Sequence, residues 1–180
     1  MLKGSSHDPV TALEVKYGNV GAYTPAWASR SYSSGRIYFE GNMAVTGGLV
    51  SEPHANIGVA LAKSGGGMLD DTQGNYAVIP HGQQKIYRNG DNFGLALDLD
   101  AGMAYVRING DWVTGAPGSG NGRALKKGRE YVPYFYASAI GSGAERLGQT
   151  SWVTNFGASS FRHPLPKGYS SYDGRQKAPL

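Results

Sequence analysis

The segment from residue 92 to residue 112 alternates apolar side chains with small or polar ones. Within it Phe93, Leu95, Leu97 and Leu99 occupy every second position, and the residues between them are glycine, alanine and aspartate. Successive side chains of a β-strand point to opposite faces, so a period of two predicts a strand with one apolar face. This pattern is the first indication of a β protein.

Turn signals divide the same segment into three strands. Residues 100–102 (Asp-Ala-Gly) interrupt the alternation, as the residues of a tight turn do. The alternation resumes over residues 103–108, and Asn109 and Gly110 follow directly. Asn-Gly is the strongest short-range signal for a β-hairpin, because both residues tolerate the positive φ of a type I′ turn. Three consecutive antiparallel strands are therefore predicted, and the predicted fold class is all-β.

Other short segments, enriched in aromatic and β-branched residues, are predicted strands as well. They are residues 13–17, 36–45, 57–61, 76–79, 85–87, 131–137 and 151–156. No segment keeps an apolar period of 3.6 over three turns, so no amphipathic helix is predicted. A single sheet of roughly a dozen twisted strands would curl or split. We therefore predict a two-layer antiparallel β-sandwich, with a barrel as the competing architecture.

The composition agrees with many short strands joined by tight turns. The 180 residues include 28 Gly, 12 Tyr and 9 Pro, and only 17% are charged. No low-complexity linker divides the chain, so we predict one domain over residues 10–169. Residues 1–9 are expected to be disordered or vector-derived, and residues 170–180 are expected to form a C-terminal tail.

Charge and cysteine content narrow the functional classes. The net charge is only +4, and the densest basic group, residues 123–129, is interpreted as a solvated loop and not as a nucleic-acid surface. The absence of cysteine excludes disulfides and thiolate chemistry. No apolar stretch approaches the ~18 residues of a membrane span, and no signal peptide is recognisable. We therefore expect no membrane partner, and a cytoplasmic or virion-associated location by default.

No catalytic or metal-binding motif is recognised. The four histidines are too far apart in sequence for a local metal site, and no nucleophile elbow or phosphate-binding loop occurs. Asp98 and Asp100, with Asp91 and Asn109 nearby, have oxygen ligands that suit Ca²⁺. The favoured interpretation is that Asp98 lies on the solvent side of a strand and Asp100 begins a turn. We predict no catalytic residue, no metal and no cofactor; a hydrolase on this scaffold stays an alternative.

Six segments resemble, in the same order, the conserved strands of the SPRY domain family. They are residues 33–40 (SSGRIYFE), 56–60 (NIGVA), 85–90 (KIYRNG), 91–110, 131–135 (YVPYF) and 154–169. The sequence departs from the family at Gly41-Asn42-Met43, where a β-branched residue is usual, and in the long glycine-rich loop 115–127. The resemblance implies a concanavalin A-like β-sandwich that acts as a non-catalytic recognition module for a protein or peptide.

The resemblance also implies candidate ligand-binding residues. Tyr87 matches a tyrosine that lines the peptide pocket in SPRY domains of the SOCS-box family, and Arg30 lies near an arginine that borders it. The loop after the 131–135 strand lines the same pocket, and it maps onto Ser138, Ala139, Ile140 and Gly141, although the family's tryptophan is missing here. The aromatic Trp27 lies outside the strand alternation and is a further candidate. The loops 24–34, 62–75, 86–92 and 138–147 are predicted to meet at one end of the sandwich.

Two other functions are compatible with these features. Aromatic residues beside Asn- and Asp-containing loops suit a carbohydrate-binding, lectin-like module. Abundant Gly, Ser, Asn and Tyr also suit a structural component of a bacterial or phage surface assembly. The predicted partner is a protein or peptide, with carbohydrate as the alternative and nucleic acid not expected.

Overall fold

The computed structural model describes residues 2–3, 14–17, 26–28, 30–46, 52–61, 76–77, 89–140 and 149–179, which form strands and connecting turns without a helix. The strands are β1 (Leu2–Lys3), β2 (Glu14–Tyr17), β3 (Ala26–Ala28), β4 (Arg36–Thr46), β5 (Glu52–Leu61), β6 (Tyr76–Ala77), β7 (Asn92–Asp98), β8 (Met103–Ile108), β9 (Asp111–Trp112), β10 (Arg123–Ala124), β11 (Tyr131–Ile140), β12 (Gln149–Asn155) and β13 (Ser170–Ser171).

The strands form two sheets. The five-stranded sheet has the order β1-β3-β11-β5-β6, and the eight-stranded sheet has the order β10-β8-β7-β4-β12-β2. In the larger sheet β9 also pairs with β8, and β13 pairs with β4. The named pairs are antiparallel except for β13 with β4, which is parallel. The predicted all-β sandwich is confirmed.

The core lies between the two sheets. The side chains that alternation placed on one face of β7 all contribute to it, namely Phe93, Leu95, Leu97 and Leu99. The five-stranded sheet contributes Ile57, Val59, Tyr131 and Phe135. Large rings interlock across the interface, as the Phe135 and Trp152 ring centroids are 6.0 Å apart.

The Asn-Gly hairpin forms where the sequence predicts it. Ile108 pairs with Asp111, so Asn109 and Gly110 form a two-residue loop. Both have positive φ, 51° and 101°, as a type I′ turn requires. The preceding turn brings Asp98 opposite Met103.

Over β4, β7 and β8, the second face of the eight-stranded sheet is covered as well. We call residues 156–179 the C-terminal strap. Within the strap Phe161, Leu165 and Tyr169 pack over Tyr38 and Ala96 on the outer face of the sheet. All seven residues of β7 are therefore buried, including Asp98, which was expected to face solvent. Period-two alternation reports which side chains share a face, but it does not report what covers that face.

The end of the strap belongs to the sandwich, in contrast to the predicted tail over residues 170–180. Ser170 and Ser171 pair with Ile37 and Tyr38 of β4, and Tyr172 is buried in the core. Its backbone pairing and the buried Tyr172 are enough to fix this segment on the sandwich. Residues 2–3 also pair, with β3, although residues 1–9 were expected to be disordered.

Candidate functional site

The register of the strands divides the candidate binding residues between two ends of the sandwich. β4 and β11 start at the same end, because Tyr32, just before β4, pairs with Tyr131 at the start of β11. We call this the basic end. The opposite end contains Asn89-Gly90, the Asn109-Gly110 turn and the last residues of β11. We call it the hairpin end.

Hydrogen bonds fix the surface of the hairpin end. The Gly90 amide donates to the Met43 carbonyl at 2.8 Å, and the Met43 amide donates to the Asp91 carbonyl at 3.0 Å. Asn109 joins the two turns: its Oδ1 accepts from the Asn92 amide at 2.8 Å, and its Nδ2 donates to Asp91 Oδ1 at 2.8 Å. Two adjacent turns are thereby held in one arrangement.

The strap supplies a further contact at this end. Arg162 Nη1 donates to the Gly90 carbonyl at 3.2 Å. The Arg162 amide donates to Glu40 Oε2 at 2.9 Å. Arg162 is therefore hydrogen-bonded both to the Asn89-Gly90 turn and to the buried carboxylate of Glu40. His163 lies against the second turn, since a Cβ on Gly110 would be 3.1 Å from its Cε1.

Glu40 is 1% exposed and is the centre of a buried polar network. Its Oε1 accepts from the Tyr38 hydroxyl at 2.7 Å and from the His163 amide at 3.4 Å. Asn92 Nδ2 donates to Oε2 at 3.4 Å and to Asn42 Oδ1 at 3.0 Å. Burial raises the pKa of Tyr38 above its ordinary value, so this hydroxyl stays a neutral donor.

Arg107 balances the charge of Glu40. Its Nη2 lies 3.7 Å from Glu40 Oε1 and donates to the Tyr38 hydroxyl. The guanidinium carbon lies 5.1 Å from the Tyr38 ring centroid and 4.9 Å from the Trp112 centroid, within cation–π range. Both Nη atoms donate to the Pro164 carbonyl at 3.1 Å. The side chains of Glu40 and Arg107 are both buried, and their bonds to residues 162–164 orient the strap.

The structure describes only some of the candidate loop residues that the sequence analysis named besides Arg30 and Trp27. Ser138, Ala139 and Ile140 are strand residues and not loop residues, because β11 continues to Ile140 by pairing with residues 52–54 of β5. The pairing between β5 and β11 extends beyond the apolar part of the β11 sequence, because the apolar pattern of β11 weakens after Phe135. Tyr87 and Gly141 lie outside the described residues.

Trp27 is a strand residue of the five-stranded sheet. It lies in β3 and pairs with Lys3 on one side and Tyr134 on the other. This position lies between β1 and β11 in the sheet and not on a connecting loop. Its role in ligand binding stays a prediction.

Arg30 lies at the basic end, away from the other candidates. Its Nη1 donates to the Tyr32 hydroxyl at 3.2 Å, which raises the pKa of the exposed guanidinium, and its carbonyl accepts from the Tyr172 hydroxyl. Ser138 lies seven positions after Tyr131 along β11, a distance of about 23 Å at the strand rise. The structure therefore does not bring Arg30 and residues 138–140 to one end.

The carboxylates considered for Ca²⁺ are already hydrogen-bonded within the protein. Asp98 Oδ2 accepts from Arg36 Nε at 2.9 Å and Oδ1 accepts from the Ala101 amide at 2.9 Å. Asp100 Oδ1 accepts from the Gly35 amide at 2.9 Å. Over the part of the chain that the structure describes, no group of three His, Asp or Glu residues is arranged to hold a metal ion. Likewise, no helix that could cross a membrane occurs in that part.

Sequence reasoning missed Glu40, Arg107 and Arg162 as determinants of the hairpin end. A signal was present for the first two, because Glu40 interrupts a predicted apolar strand and Arg107 interrupts another. Two opposite charges on strands of one sheet point to a pair, but only the strand order brings them together. Arg162 carries no such signal, since it lies in a segment without periodicity.

Comparisons with known structures identify the fold. No family model matches the sequence, and the curated proteins contain no significant match. The SPRY domain of human HERC1 is similar with a TM-score of 0.51 and 13% identity, covering 78% of this chain and 87% of that chain. The carbohydrate recognition domain of Emp46p, in a potassium-bound form, has a TM-score of 0.52 and 9% identity, covering 86% and 85%. The chain thus has the concanavalin A-like β-sandwich fold that these two domains share, as its resemblance to SPRY domains implied.

Proposed function

We propose that the protein is a non-catalytic recognition module that binds a protein or peptide segment through its hairpin end. The observation that carries this proposal is the hydrogen-bonded surface formed by Gly90, Asp91 and Asn109. Arg162 supports that surface from the strap. Its turns are ordered before a ligand arrives, so binding does not have to supply the entropy of ordering them.

The chemistry of this surface suits an extended peptide. Asn89 and Asn109 are exposed, and amide side chains offer both donors and acceptors to a peptide backbone. Tyr87 is two residues before Asn89 in the sequence and is proposed as the aromatic anchor, since a large, stiff ring covers area at a low entropic cost. Ser138, Ala139 and Ile140 end a strand at the same end, and with Gly141 they are proposed to form the opposite wall.

Tyr87→Ala tests this proposal directly. Peptides selected from a displayed random library against the wild-type protein serve as ligands, and dissociation constants are measured by isothermal titration calorimetry. We expect Tyr87→Ala to weaken binding by about 1–3 kcal/mol with an unchanged melting temperature.

Arg30→Ala is the matched control, because Arg30 lies at the basic end. It is expected to leave peptide affinity unchanged. A steep fall in the melting temperature of Tyr87→Ala would show that Tyr87 is a core residue. Equal losses of affinity in both variants would place the binding surface elsewhere.

A carbohydrate ligand is the second candidate for the same end. Asn89, Asp91 and Asn109 concentrate amide and carboxylate groups there, and such groups hydrogen-bond sugar hydroxyls. Similarity to a carbohydrate recognition domain is consistent with this alternative. A glycan array read with and without added calcium and potassium distinguishes it from peptide binding.

A further inference from the structure

Among the described residues, the excess positive charge is concentrated at the basic end. This end comprises residues 30–36, 98–103, 123–131 and 165–179, which contain nine Lys and Arg against four Asp and Glu. The other described residues contain four Lys and Arg against five Asp and Glu. A net charge that is modest for the whole chain is therefore considerable for this one surface.

Backbone hydrogen bonds hold these segments together as one surface. The Leu99 amide donates to the Gly35 carbonyl at 3.0 Å, and the Leu125 amide donates to the Gly102 carbonyl at 2.8 Å. The Lys126 amide donates to the hydroxyl of Tyr131 at 2.9 Å. The cations of this end are therefore carried on segments with fixed relative positions.

The carboxylates of this end are engaged by the protein itself. Asp98 and Asp100 accept the hydrogen bonds described above, and Glu130 Oε2 accepts from Ser31 Oγ at 3.0 Å. Asp173 accepts from Ser171 Oγ at 2.7 Å and lies 3.5 Å from Arg175 Nε. Each carboxylate has at least one hydrogen-bond donor of its own.

Several cations, in contrast, have no carboxylate partner. Lys126, Lys127 and Arg129 are exposed, and among the described residues no Asp or Glu oxygen lies within 4 Å of their charged nitrogens. The guanidinium of Arg30 donates to a neutral phenol, that of Tyr32. These side chains are available to an anionic ligand.

We propose that the basic end is a second interaction surface, which binds an acidic, extended protein segment rich in Asp and Glu. Arginine forks and lysine ammonium groups pair with carboxylates, and charge complementarity accelerates encounter and selects the partner. Nucleic acid fits less well, because Tyr131, Tyr169 and Tyr172 are buried, and among the described residues of this end only Tyr32 is a partly exposed aromatic residue. One half-buried ring is a small platform for stacked bases.

Fluorescence anisotropy with a labelled peptide of alternating glutamate and serine tests this inference. The double variant Lys126→Gln, Lys127→Gln removes two cations of the basic end. It is expected to weaken binding by about fivefold and to leave the melting temperature unchanged, because neither ammonium group is paired with a carboxylate among the described residues. Binding by the wild-type protein is also expected to weaken as ionic strength rises.

The matched control is Lys3→Gln, Lys16→Gln, which removes the same charge from β1 and β2, outside the basic end. It is expected to retain wild-type affinity. Equal weakening by both double variants, no weakening by either, or equal binding of a glutamine-serine peptide would overturn the proposal. Tighter binding of a single-stranded oligonucleotide of equal charge would overturn it in favour of nucleic acid. Because the hairpin-end test uses different residues, each proposal can fail without the other.

Discussion

Gly41 lies in β4 at a position where the resemblance to SPRY domains would predict a β-branched residue. A Cβ at Gly41 would be 3.0 Å from Trp152 Cε3, 3.1 Å from Phe135 Cε1 and 3.2 Å from Ile57 Cδ1. Two large rings and a branched aliphatic side chain already fill this part of the core. The small residue at position 41 of β4 therefore leaves room for the large rings of β11 and β12.

Gly41→Val is expected to lower the free energy of unfolding by about 1–3 kcal/mol, because the added methyl groups overpack this core. Thermal and urea unfolding measure the loss. Ala124→Val is the control, since it places the same β-branched side chain at an exposed strand position. Equal stability of the two variants would show that the Trp152 ring moves aside at no cost.

At the scale of elements, the C-terminal strap shows how a segment without periodicity is positioned. Glu40 accepts from the Arg162 and His163 amides, and Arg107 donates to the Pro164 carbonyl. Two charged side chains of the sheet thus hold three successive residues of the strap. A buried charge pair of this kind gives orientation, and its loss is costly because one charge is left without its partner.

Glu40→Gln is expected to lower the free energy of unfolding by about 3 kcal/mol or more, since Arg107 stays charged and buried. The strap should also be released more readily, so trypsin cleavage after Arg162 should become faster. In a double-mutant cycle, Glu40→Gln combined with Arg107→Met should cost less than the two single changes added together. Strict additivity would show that the two side chains are not coupled.

At the scale of the whole molecule, buried tyrosines link folding to alkaline pH. Burial raises the pKa of Tyr38, Tyr169 and Tyr172 above the value of about 10 that tyrosine has in an unfolded chain. The native state therefore keeps protons that the unfolded state loses. Their contribution to stability is complete below about pH 10 and is lost as the pH rises above it.

Tyr169→Phe is expected to reduce this alkaline sensitivity. The buried Tyr169 hydroxyl has no hydrogen-bond partner among the described residues, so its removal should leave stability at pH 7 unchanged or raise it by up to about 1 kcal/mol. Tyr172→Phe, which loses a hydrogen bond to the Arg30 carbonyl, should cost about 1 kcal/mol at the same pH. Melting temperatures measured from pH 7 to pH 11 check both expectations. A Tyr169→Phe protein that loses stability above pH 10 as steeply as wild type would contradict the first.

Local patterns were sufficient for the long strands and for the class of fold, but not for the short strands β1, β3, β10 and β13. Alternation over residues 93–99 assigned the core face of β7, and the Asn109-Gly110 pair set the turn after β8, because both depend only on neighbours in sequence. The order of short strands was also enough to suggest the sandwich. The candidate site was predictable only as a set of segments, and its arrangement was not.

The sequence by itself determined which side chains share a strand face, where the chain turns and that two apolar faces must be buried together. Tertiary structure alone decided that the strap covers the second face of β7, that Glu40 and Arg107 meet, and that Arg30 lies at the end opposite Ser138. The physical reason is range: pleat and turn geometry follow from adjacent residues, whereas strand order and the position of the strap depend on contacts between residues far apart in the chain.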